Sequence, residues 1–142
     1  MLKRNVEPVL IVGSGLSAAD AIMAAQSRGI PVIHVFRGNK SKENSDERSK
    51  NIDRVQWLPA SAYPEYHKVF EMMGERCRKN PLYKPLVDHV IVDFSIGTNK
   101  LACTKKRKVT LCTPQGRLVS YRVSFAAVLI GWLIFFKNNI LF

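Results

Sequence analysis

The strongest constraint on this chain is a run of six residues, Gly13-Ser14-Gly15-Leu16-Ser17-Ala18, set between two stretches of opposite character. Before it stands Val9-Leu10-Ile11-Val12, continuous and mostly β-branched, the pattern of a strand buried on both faces of a parallel sheet. After it, Ser17 to Arg28 reads as a helix, rich in the strong helix former alanine, with Ala18, Ala21, Ile22 and Ala25 on one apolar face. Gly29 supplies the helix stop, and Pro31-Val32-Ile33-His34-Val35-Phe36 is a second β-run. Strand, glycine turn, helix and strand in about thirty residues form a βαβ unit, with both strands expected parallel in one sheet.

In that setting the six residues match G-x-G-x-x-[G/A], and each position has a physical task. Gly13 permits the tight strand-to-helix turn. Gly15 has no Cβ, so a pyrophosphate can reach the backbone. Ala18 is small enough for the helix to lie close to the strands. The free N–H groups along Gly13, Ser14, Gly15, Leu16, Ser17 and Ala18, at the positive end of the helix, then face the phosphates. Which dinucleotide binds follows from the end of the second strand, where an NAD or FAD site usually carries an acid for the ribose hydroxyls. The sequence there is Val35-Phe36-Arg37-Gly38-Asn39-Lys40, without an acid. Arg37 either pairs with a 2′-phosphate through its planar fork or is a solvated surface arginine; the first reading favours NADP(H).

No catalytic residue is assigned. Asp20 reads as a helix-stabilising carboxylate. His34, within a strand, reads as structural. His67 near Glu65 reads as part of a polar helix start, although a His beside a Glu also suits acid–base work. Cys77, Cys103 and Cys112 show neither a CxxC pair nor metal-ligand spacing, so no metal is expected. Their odd number, with an N-terminus too polar and short for a targeting segment, favours a reducing, cytoplasmic setting.

The formal net charge of +11 raises the question of nucleic acid. The basic residues fall in two clusters, Arg37 to Arg54 and Lys105-Lys106-Arg107-Lys108, without interleaved aromatics, which argues against that partner. Residues 38–56 are polar, charged and aperiodic, a mobile basic loop. Tyr66 to Lys79 forms a helix with Val69, Phe70, Met73 and Cys77 on one stripe and Pro64 at its start. From His89 the pattern turns to β: His89 to Phe94 is a strand, Val109 to Thr113 and Leu118 to Tyr121 flank a hairpin turn, and Ala126 to Gly131 is a buried run. The apolar stretch from Val123 to Phe136 is short for a bilayer span, so a membrane partner is not expected.

Three segments carry a resemblance: Val9 to Ala21, Ile30 to Arg37, and Tyr63-Pro64-Glu65-Tyr66-His67-Lys68-Val69 with Met72-Met73. Together they resemble the oxidative stress-induced growth inhibitor family, which is similar to flavin-containing monooxygenases. The resemblance covers residues 6 to 131. It implies an α/β fold: a Rossmann-like parallel sheet of the FAD/NAD(P)-binding kind with an antiparallel β excursion over 89–122, incomplete at the chain's end. It also implies two nucleotide sites, one for FAD and one for NADPH, and roles in growth restraint, cell death and division. The FAD-binding glycine motif expected in an earlier segment is absent, and residues 132–142 form an atypical apolar tail. The chain is therefore expected to be the NADPH-binding middle of a longer monooxygenase-like protein, with FAD held elsewhere in a full-length relative. The alternative is a non-catalytic regulator that keeps the fold for protein partners.

Overall fold

The computed structural model describes residues 6–38, 59–74, 80–99, 104–130 and 133–135. Of the predicted basic loop, residues 39–56 lie outside these, as do Cys77 and Cys103. The chain is mixed α/β. Strand β1 (Val9–Val12) leads through the glycine turn to helix α1 (Leu16–Ser27) and back to β2 (Val32–Phe36), parallel to β1 with Val9 opposite Val32 and Val12 opposite Val35. Helix α2 (Pro64–Met73) and strand β3 (Tyr83–Val87) follow. Next come three antiparallel strands, β4 (Val90–Asn99), β5 (Thr104–Cys112) and β6 (Leu118–Val123). The chain then returns through β7 (Phe125–Ile130), parallel to β1 on the side away from β2, and β8 (Leu133–Phe135) folds back against β7. The larger sheet has the order β3-β2-β1-β7-β8, with the first four strands parallel.

Alternation along β1 and β2 divides the core. Ile11 and Val32 face α1 and α2, where they pack with Ala18, Ala19, Ile22, Ala25, Val69, Met72 and Tyr83. Leu10, Ile33 and Val35 face the antiparallel sheet and pack with Leu86, Val109, Leu111 and Val123. The parallel sheet is thus the middle of three layers, which is why every residue of β2 is buried and why its sequence lacks alternation. Ile22, fully buried in the first cluster, contributes about 1.5–3 kcal/mol of transfer free energy by itself.

Helix α1 ends as its sequence predicts. Gly29 has φ 66°, its N–H bonds to the Gln26 carbonyl and that of Ile30 to Ala25, the paired closure of a Schellman motif. On α2, Pro64 starts the first turn, and Val69 and Met72 are the buried pair, so the stripe is rotated toward Met72 relative to the predicted Met73. The β5–β6 hairpin closes around Pro114 and Gln115, with Gly116 at φ 81° and its N–H on the Thr113 carbonyl. No helix among the described residues is long and apolar enough to cross a membrane.

Candidate functional site

The carboxyl ends of β1, β2 and β3 lie side by side, and the sequence-predicted residues gather on that edge. At the end of β1, Gly13 has φ 129°, a region open to glycine and strained for other residues. Its N–H donates to the Val35 carbonyl at 3.0 Å, and its carbonyl accepts from His34 Nε2 at 2.5 Å. Ser14, Gly15 and Leu16 are exposed, Ser17 is half-buried, and Ala18, 1% exposed, sits against the sheet as the predicted close-packing residue.

Gly15 separates the needs of the fold from those of a ligand. It caps α1 with an ordinary extended backbone, φ −84° and ψ −176°, which any residue adopts. A Cβ built there meets nothing within 4 Å. The protein itself therefore has no steric need for glycine at this position; the open volume over the backbone is what an approaching pyrophosphate requires. At Gly15 no side-chain hydrogen bond caps α1, and its first turn holds no acid, so among the described residues no acidic side chain of the helix itself offsets the positive end. Asp20 lies in the second turn and accepts a hydrogen bond from Tyr66 Oη at 2.7 Å, tying α1 to α2 and raising the Tyr66 pKa. It is a helix-to-helix tie more than a partner of the dipole.

Arg37 follows β2 on the same edge, exposed and without an ion pair among the described residues. The local sequence offers no acid at the end of β2, but the fold supplies one. Asp88, directly after β3, turns with φ 55° so that its Oδ1 accepts the Gly38 N–H at 2.9 Å, while its own N–H bonds to the Phe36 carbonyl. A carboxylate therefore stands at the end of β2 after all, delivered from fifty residues away. The apolar pair Leu86-Val87 just before it was the only sequence hint of a strand that could bring it there.

His34 is the one buried polar residue among the described residues, fully enclosed on the helix face of β2. Its Nδ1 is 2.7 Å from Tyr83 Oη. Burial lowers its pKa, partly offset by the bond to Gly13, and burial also raises that of Tyr83. A neutral ring between a donor and an acceptor fits both shifts. Elsewhere on α2, Glu65 pairs with Lys68 at 3.4 Å; both are exposed, so the pair adds little stability. A cavity of about 310 Å³ lined by Val6, Glu7, Pro8 and Arg122 lies at the amino edge of β1 and contains no residue of the candidate site.

The chain is 36% identical to human oxidative stress-induced growth inhibitor 2 over 135 residues, 92% of this chain and 23% of that protein. It is a homologue of the oxidative stress-induced growth inhibitors. The mouse growth inhibitor 1 is 36% identical over 88% of this chain, and the human growth inhibitor 1 is 41% identical over 62%. The chain spans about a quarter of the length of these growth inhibitors, 23% of the mouse protein and 18% of the human growth inhibitor 1. No family model matches it. Among solved structures, p-nitrophenol 4-monooxygenase PnpA from Pseudomonas putida superposes with a TM-score of 0.52 at 12% identity, over 89% of this chain and 41% of that enzyme. That likeness speaks for the fold alone.

Proposed function

We propose that this chain is the NADP(H)-binding segment of a flavin-dependent, monooxygenase-like protein that restrains cell growth. The parallel order β3-β2-β1-β7, with the glycine turn between β1 and α1 where the sheet's order reverses, is read as a Rossmann-type dinucleotide fold. The observation that carries the reading is the opening after Gly13: Ser14, Gly15 and Leu16 exposed, no side-chain cap on Gly15 and no acid in the first turn. The amides of Ser14, Gly15 and Leu16, with Ser17 and Ala18 behind them, would hold the pyrophosphate, and Arg37, exposed while the Asp88 carboxylate is engaged by the Gly38 N–H, would take the 2′-phosphate. Bound there, the nicotinamide supplies a hydride for a flavin held by another part of a full-length protein. The chain's own residues bind and orient; they do not transfer the hydride. The growth role rests on the names of the relatives.

The test is titration of the full chain with NADPH and NADH, read by thermal unfolding. At a hundred times its Kd, a ligand adds about 2.7 kcal/mol of stability. The proposal expects NADPH to raise the melting temperature at lower concentration than NADH. No shift with either would favour the non-catalytic regulator, and equal shifts would remove the role given to Arg37.

A further inference from the structure

The structure assigns His34 as a positioning residue for the dinucleotide site: its Nε2 holds the Gly13 carbonyl inward and thereby aims the Ser14 amide out of the bend. The assignment rests on the dinucleotide reading above and adds to it a residue outside the glycine motif.

The argument begins with one peptide unit. The described chain contains no cis peptide, so the Gly13 carbonyl and the Ser14 N–H point in opposite directions across a flat trans unit. Whatever draws the carbonyl into the protein sends the N–H outward. The Gly13 carbonyl can only accept, so His34 Nε2 carries the proton. His34 Nδ1 is then the acceptor, and Tyr83 donates its hydroxyl to it. The ring has little freedom to reorient: it is fully buried, tilted against Phe36 with centroids 4.7 Å apart, and 5.8 Å from the Tyr83 ring. Burial, which opposes a charge on His34, favours this singly protonated form.

The peptide needs such an anchor. Gly13 lies in a backbone region where glycine moves freely, and its N–H is already fixed by the Val35 carbonyl. Only its carbonyl side is left to be set, and His34 sets it. Ser14 and Gly15 are exposed and a Cβ at Gly15 would meet nothing within 4 Å, so a ligand has room to approach the turned-out amide. A hydrogen-bond relay thus runs from β3 through β2 to the turn after β1, made by two side chains that would not touch the ligand.

The experiment uses the full chain of 142 residues, with NADPH titrated by calorimetry against wild type, His34→Phe, His34→Gln and Tyr83→Phe. His34→Phe keeps a ring and removes the donor; its Kd should rise about tenfold or more, the scale of one amide bond to a charged phosphate. His34→Gln places an amide N–H near the position of Nε2 and should return to within about threefold of wild type. Tyr83→Phe leaves the donor facing Gly13; it should lower the melting temperature while keeping the wild-type Kd within the same margin. A purely structural His34 would instead make affinity follow melting temperature through all three variants, which overturns the assignment, as does a folded His34→Phe with wild-type affinity. The tautomer gives a check that needs no variant: long-range proton–nitrogen NMR on the wild type should show Nε2 protonated, and a ring protonated at Nδ1 overturns the proposal even if His34→Phe fails to fold. Failure of the wild type to bind NADPH brings down the dinucleotide reading and the assignment with it, an outcome distinct from a binding wild type with indifferent variants.

Discussion

Gly15→Ala separates the fold from its proposed ligand more cleanly than any other single change. The backbone at Gly15 already has φ −84°, and the new methyl meets no heavy atom within 4 Å. Replacing glycine at a compatible conformation gains about 0.4–1 kcal/mol by restricting the unfolded chain. Alanine is a poorer N-cap than glycine, a loss of a few tenths of a kcal/mol or somewhat more. The two nearly cancel, and the unliganded melting temperature should stay within about 2 °C of wild type, given about 3–4 °C per kcal/mol for a chain of this size. The methyl does stand where a pyrophosphate would approach the backbone. Displacing the phosphate from one amide costs about 1.5–3 kcal/mol, or tenfold to a hundredfold in Kd. At an NADPH concentration of a hundred wild-type Kd values, the stabilisation would fall from about 2.7 to about 1.4 kcal/mol or less, halving a shift of about 10 °C. Differential scanning fluorimetry with and without NADPH reads both quantities in one plate. A variant that unfolds much earlier without ligand, or that keeps the whole NADPH shift, refutes the view that this glycine serves a ligand.

The other substitutions address the neighbouring charges and the buried histidine. Arg37→Ala, at an exposed position, should change stability by less than about 0.5 kcal/mol yet weaken NADPH about tenfold and leave NADH alone, by calorimetry at low salt; equal losses for both ligands would count against a phosphate contact. Asp88→Asn keeps an oxygen for the Gly38 N–H and tolerates the φ of 55°, so the fold should hold while NADPH binds about two- to fivefold tighter; weaker NADPH binding would show that the carboxylate helps the site. His34 has a folded-state pKa below its unfolded value of 6.5, so the unfolded chain binds the extra proton first. Its contribution is complete above pH 6.5 and is lost as pH falls through 6.5 toward the folded-state pKa. Urea unfolding at stepped pH should show that loss in wild type and a shallower one in His34→Gln, and identical slopes would contradict it.

How much of this was legible depended on where the information lies along the chain. The unit from β1 to β2 is local: buried apolar runs, an alanine-rich helix and glycines at both helix ends name it directly, and β2 was recognisable because full burial erases alternation. The β5–β6 hairpin was equally local, written by Pro114 and Gly116. Strand β3 is not legible, because Lys84 and Pro85 interrupt its apolar residues and only Tyr83 and Leu86 are buried. Without β3, nothing in the sequence brings Asp88 to Gly38, and the end of β2 reads as free of acid. His34 reads as a strand residue, and it lies in β2. Its hold on Gly13 follows from the sheet, since Ile11 pairs with His34 while Gly13 turns back two residues later, a relation no sequence window contains.

Pro85 also decides what can happen on the outer flank of β3. The bonds from Val32 N–H to the Leu82 carbonyl and from Asp88 N–H to the Phe36 carbonyl show that the even-numbered residues turn toward β2, so Tyr83, Pro85 and Val87 turn outward. The Tyr83 N–H is spent on the Asn80 carbonyl, proline has none to offer, and the Val87 carbonyl already receives His89 Nδ1. A strand arriving from a neighbouring molecule finds the Val87 N–H but no regular row of donors on which to extend the sheet. Growth of the sheet into a fibre is disfavoured at this border by the composition of the border itself.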